Sequence, residues 1–139
     1  MHVHAHYCRF VHPGIRYIAE YLDRHGIVMG LHNDGNWDLN LEHMTDLPEN
    51  TYFQLDGYSD IFRARKVLGD RFVIMGDVPN SLLVMGSPAE TEDYCVRLIK
   101  EVGRNGRFIL SSGCEVPPNA KPENVRAMIM AAEKHGRYY

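Results

Sequence analysis

Apolar residues recur at three- and four-residue intervals between Pro13 and Arg24, at Ile15, Ile18, Ala19 and Leu22. That spacing predicts an amphipathic helix opened by Pro13 and closed at Gly26. Ile27 to Leu31 follows as an apolar run of strand length, and it stops at His32, Asn33, Asp34 and Gly35, all polar or turn-forming. Trp37 to Met44 reads as a short helix and "TYFQLD" as a second strand, because β-branched and aromatic residues suit a pleated surface. Ser59 is placed to cap a helix carrying Ile61, Ala64 and Leu68 on one face and ending at Gly69. "RFVIMGD" is a third strand. "SPAE" then has the form of a capping box, Ser87 at the cap and Glu90 three residues on, before a helix whose apolar face is Tyr94, Cys95, Leu98, Ile99 and Val102. "RFILSSGC" is a fourth strand, and Pro122 opens a last helix with Val125, Met128, Ile129 and Ala132 on one side and Gly136 after it.

Four strands alternating with helices imply repeated βα units, hence an α/β fold with a parallel sheet. Nothing in residues 1–139 reads as a linker or low-complexity tract, so the expectation is a single domain. Ligands of such sheets gather at the carboxyl ends of the strands. Those ends carry His32 and Asp34, Asp56, Asp77 with Asn80 shortly after, and Cys114, while Trp37 is a candidate pocket wall.

Composition narrows the partner rather than the fold. The net charge of −3, with 45% hydrophobic and 24% charged residues, is that of a globular chain without a basic field for nucleic acid. No apolar run approaches the ~18 residues of a membrane span. Cys8, Cys95 and Cys114 form no even framework, so reduced thiols in a cytoplasmic protein are expected.

Sulfur, imidazole and carboxylate together form a ligand set that zinc accepts. His32 and Asp34 lie two apart, which on an extended segment points both side chains the same way; Cys114 reaches them only through the fold. Taken singly, each has an ordinary role: Asp34 and Asp56 precede glycines as turn formers do, and Asp77 before Val78-Pro79 reads first as a turn cap. "MHVHAHYC" offers His2, His4, His6 and Cys8 as a competing metal motif, but no strand precedes it, and it is read as a decoy. Cys95 belongs to a helix core face, and Arg63, Arg65 and Lys66 to a solvated one.

The stretch "GDVPNSLLVMGSPAETEDYCVRLIKEVGRNGRFILSSGCEVPPNAKPENVRAM" resembles the uroporphyrinogen decarboxylase superfamily, and within it the cobalamin-dependent methyltransferases. "GDVP" followed by "GSPAE", then "GRFILSSGCEVPPNAKPENVRAM", carry the likeness, which extends loosely back to about Val11. The resemblance implies the carboxyl-terminal half of a TIM-type (β/α)8 barrel. It also implies a zinc site in which His32 matches the family histidine, Cys114 the distant cysteine, and Asp34 stands where the first cysteine would be. The implied reaction moves a methyl group from a methylated corrinoid, free methylcobalamin or one held by a corrinoid protein, to a zinc-activated thiol or folate-type acceptor. The alternatives are decarboxylation of an acidic tetrapyrrole and non-catalytic corrinoid binding. The decarboxylases place an essential aspartate and arginines in an amino-terminal segment that nothing here matches. A half-barrel leaves two open sheet edges, so self-association or pairing with the other half is expected.

Overall fold

The computed structural model describes residues 5–137, so His2 and His4 of the amino-terminal motif lie outside the described residues. A π-helical turn, Tyr7–Val11, leads into α1 (His12–Arg24), with Pro13 in its first turn. Gly26 leaves the helix at φ 67°, a conformation that residues with a Cβ avoid. Then come β1 (Met29–Asn33), α2 (Leu41–Met44), β2 (Thr51–Leu55) and α3 (Ile61–Leu68). A 3₁₀ turn at Gly69–Arg71, β3 (Val73–Val78), α4 (Asn80–Met85), α5 (Pro88–Glu101), β4 (Phe108–Ser112) and α6 (Pro122–His135) complete the order. The expected alternation is present, and α5 carries both halves of its capping box, Ser87 accepting from the Glu90 amide while Glu90 takes the Ser87 amide.

All three ladders are parallel, in the order β1-β2-β3-β4. His32, Gln54, Met75 and Ile109 are register partners across the sheet. Phe53, Leu55, Ile74 and Val78 face the helices and are fully buried with Leu41, Ile61, Leu83 and Leu98. The opposite face, with Tyr52, Gln54, Val73 and Met75, is only half-buried. There Gly30 lies under Tyr52: a Cβ at residue 30 would stand 2.5 Å from its ring.

Three local expectations change. The first strand begins at Met29, two residues later than its apolar run, and Ile27 and Val28 stay 51% and 58% exposed. The strand is a sheet edge, so an apolar run there does not mean burial on both sides. Ser59 does not cap α3; Asp60 does, accepting from the amides of Phe62 and Arg63. Ser59 instead ties the loop after β1, accepting from the Trp37 amide at 2.8 Å and donating to Gly35 O at 3.2 Å.

Arg65 is the third. It is 9% exposed rather than solvated, because its guanidinium donates to four backbone carbonyls: Val102 (2.9 Å), Gly69 (2.7 Å), Phe72 (3.2 Å) and Arg107 (2.7 Å). It binds the end of α3 to the segment entering β4. Arg65→Met keeps the stem but orphans these carbonyls, and each lost charge-assisted bond is costly when its partner stays buried. Urea unfolding is expected to show a loss of roughly 2–4 kcal/mol; a change below about 0.5 kcal/mol would show that the carbonyls are equally well served by water.

Candidate functional site

The carboxyl ends of the four strands converge on an open cleft of about 290 Å³. Asp34 reaches it from the loop after β1, Asp56 and Tyr58 from the loop after β2, Asn80 and Ser81 from the start of α4, and Cys114 from the turn after β4. Among the described residues no lysine or arginine lines it, so its field is that of two carboxylates.

Asp56 shapes the rim. Its Oδ2 accepts from the Gly35 amide at 2.6 Å and its Oδ1 from the Tyr58 amide at 3.0 Å, which joins the loops after β1 and β2. Trp37 pins the first of these loops again, its indole N–H donating to Asp34 O at 2.9 Å. The ring packs against the core and meets Tyr7 edge-on with centroids 5.4 Å apart, so Trp37 braces the loop rather than walling the cleft. The β4 turn is seated by close backbone approach. A Cβ at Gly113 would strike the Asp56 carbonyl, and the Gly113 amide donates to Val78 O at 2.9 Å.

This seating brings Cys114 Sγ to 3.8 Å from His32 Nε2, across 82 positions of sequence. Cys114 is half-buried and His32 exposed. Two ligands on one tetrahedral zinc would lie about 3.6 Å apart, so this pair has the chemistry and the spacing of a shared metal edge. Asp34 lines the same cleft but does not complete the set: among the described residues no three His, Cys, Asp or Glu side chains converge closely enough to hold a metal ion. The described residues therefore supply two of three expected ligands and do not fit a three-ligand zinc centre.

Asn80 lines the cleft as expected, with its Oδ1 buried and without a hydrogen-bond partner in the protein. Asp77 is neither a turn cap nor a cleft residue. It lies within β3 at 2% exposure, and the Tyr94 hydroxyl on α5 donates to its Oδ1 at 2.8 Å. Burial lifts its carboxyl to about 7, with Asp60 and Asp56 adding to the rise and the Tyr94 bond opposing it. Cys95 is fully buried on the core face of α5, as expected, and burial pushes its thiol up to about 12.

Sequence reading missed Tyr58 and Ser81, ordinary loop residues until the cleft is formed. It also missed a second cluster away from the cleft. Cys8 Sγ lies 3.2 Å from His43 Nε2, and His12 binds Asp46 at 3.0 Å with Tyr7 on its other ring nitrogen. These residues bind the amino-terminal turn to α2, and no local spacing connects Cys8 with His43.

The sequence profile of uroporphyrinogen decarboxylase (URO-D) matches residues 2–135. The chain belongs to the uroporphyrinogen decarboxylase family. Curated relatives named uroporphyrinogen decarboxylase include one from Dichelobacter nodosus, 32% identical over 76 residues, which are 55% of this chain and 22% of that protein. Another, from Methylococcus capsulatus, is 30% identical over 100 residues, 72% of this chain and 27% of that protein. A solved methyltransferase from Methanosarcina mazei shares the fold, with a TM-score of 0.77 at 20% identity, over 96% of this chain and 38% of that one. The matched segments span about a quarter of the curated relatives' length, and the chain has the parallel βα architecture of a TIM-type barrel. Among the described residues no helix is long and apolar enough to cross a membrane.

Two measurements test the site. Replacing Asp34 by Cys offers a thiolate from a loop that lines the same cleft, and thiolates suit zinc better than a carboxylate does. Competition with a chelating dye is expected to show zinc affinity raised at least tenfold over wild type, and no gain would mean that side chain 34 does not face the pair. The second concerns Asp77. Between pH 4 and 7 the folded chain keeps a proton that the unfolded chain has released, so rising pH favours unfolding. Stability is expected to fall by about 2–3 kcal/mol between pH 5 and pH 7.5 on this account. Urea midpoints should show that slope removed in Asp77→Asn; an unchanged slope would place the titration elsewhere.

Proposed function

We propose that this chain carries part of a methyl-transferring site, in which a methyl group passes from a methylated corrinoid to a small thiol or a comparable acceptor. The observation that carries the reading is the 3.8 Å approach of Cys114 and His32 at the carboxyl end of the sheet. A thiol acceptor must lose its proton to become a nucleophile, and an imidazole beside the entry point is suited to take it. In this reading His32 Nε2 accepts the proton of the acceptor thiol. The thiolate then attacks the methyl carbon in line: a sulfur–carbon bond forms, the cobalt–carbon bond breaks, and its electron pair stays on the corrinoid. Cys114 sets the position of the imidazole and of the incoming sulfur. The reaction belongs to a cytoplasmic setting, where Cys114 stays reduced.

The second reading is decarboxylation of an acidic tetrapyrrole, favoured by the names of the curated relatives. The cleft's own chemistry weighs against it, because Asp34 and Asp56 repel a polycarboxylate and no cation among the described residues lines the walls.

The deciding experiment is anaerobic incubation of the chain with methylcobalamin and a simple thiol, followed by the cobalamin spectrum. Demethylation faster than in the protein-free mixture is expected, slowed at least tenfold in His32→Ala and in Cys114→Ser. No acceleration over the protein-free mixture would overturn the methyl-transfer reading. Removal of carboxyl groups from uroporphyrinogen by the same preparation, with methylcobalamin untouched, would establish the second.

A further inference from the structure

The two carboxylates of the cleft differ in what they are free to do. Asp56 accepts from the Gly35 and Tyr58 amides with both of its oxygens, so it is committed to the loops. Asp34 is exposed, and among the described residues its carboxylate has no hydrogen-bond or ion-pair partner. It lines the same cleft as Cys114 but stands apart from the thiol and imidazole, forming no shared set of metal ligands with them. The space between is therefore that of a molecule rather than of an ion. Tyr58, 75% exposed, brings an aromatic ring to the same cleft, and among the described residues no lysine or arginine lines it. A carboxylate without a partner beside an exposed aromatic ring suits an organic cation, which the charge attracts and the ring face accepts.

We propose that the acceptor taken by this cleft is a small thiol carrying a protonated amine, its ammonium group held by Asp34 and its sulfur placed at Cys114 and His32. The inference rests on the methyl-transfer reading above and adds to it the charge of the acceptor. A cleft of about 290 Å³ is at the lower end for ligand pockets, so the acceptor is small. It then lies inside the ~8 Å over which physiological salt leaves charges unscreened. A neutral thiol becomes an anion when it gives up its proton, and Asp34 and Asp56 oppose that change. A thiol ending in a carboxylate brings a second negative charge to the same place. An ammonium group two carbons from the sulfur offsets the charge as it forms, so the thiolate arises as a zwitterion without net charge. The proton goes to His32 Nε2, and the sulfur–carbon bond forms as the cobalt–carbon bond breaks with its electron pair left on the corrinoid. The product is a methyl thioether that keeps its ammonium group.

Binding is tested first, without any reaction, by titrating the chain with S-methylcysteamine and with the anionic thioether S-methylmercaptopropionate. The indole N–H resonance of Trp37, the chain's one tryptophan, reports on the loop because it bonds Asp34 O. The cationic thioether is expected to bind at least about tenfold more tightly than the anionic one. Asp34→Asn, which keeps the shape and removes the charge, is expected to abolish most of that ratio. Equal binding, no saturable shift, or a ratio unchanged in Asp34→Asn would each overturn the inference, whatever the reaction. The cobalamin assay then compares cysteamine with mercaptopropionate, each rate divided by that of its protein-free mixture, and a preference of about tenfold or more for cysteamine is expected. Selective binding without demethylation would leave the cation site standing and overturn methyl transfer. Demethylation accelerated equally for both thiols would uphold methyl transfer and overturn the inference.

Discussion

The parallel register of the four strands is the constraint from which the functional face follows. Because β1 to β4 run the same way and pair in sequence order, every strand delivers its carboxyl end to the same side. Residues that are far apart in the chain become neighbours there, and His32 meets Cys114 without any local signal. The register depends in turn on backbone approach. Gly113 lets the β4 turn rest on the end of β2, and the Asp56 carboxylate holds the loops after β1 and β2 by two amide bonds.

Charge is distributed by burial rather than by count. The cleft concentrates carboxylates, whereas Arg65, the one buried arginine among the described residues, lies at the other end of the strands and is spent on carbonyls. Asp77 is taken from the set of acids that the sequence offers the cleft and turned into a buried, hydrogen-bonded group on Tyr94. A buried carboxyl and a solvated one in the cleft have different chemistry although each stands beside a glycine in the sequence. The pair that remains, imidazole and thiol, has two zinc-type donors without a third.

Family membership and structural likeness point to one architecture, while the names of the similar proteins differ. The curated relatives bear the name of a decarboxylase, and the solved neighbour that of a methyltransferase. The chain covers only a fraction of each.

Alternation of apolar runs made the four strands, the longer helices and their order legible, because amphipathic periodicity and caps such as Ser87 with Glu90 are local properties, whereas the short α4 (Asn80–Met85) and the π-helical turn Tyr7–Val11 carry no such signal. The candidate residues at the strand ends were legible for the same reason: direction follows from topology, and topology from alternation. What the sequence did not determine was which of them meet. His32 and Cys114 converge, Asp34 stays apart, Asp77 turns to Tyr94 and Trp37 to the loop beneath it. Arg65 was misread because a charged residue on a helix looks solvated until four carbonyls from other segments surround it. Side-chain spacing along a chain encodes the face a residue occupies, but distance between faces of different elements is set by packing, and only the tertiary structure decides it.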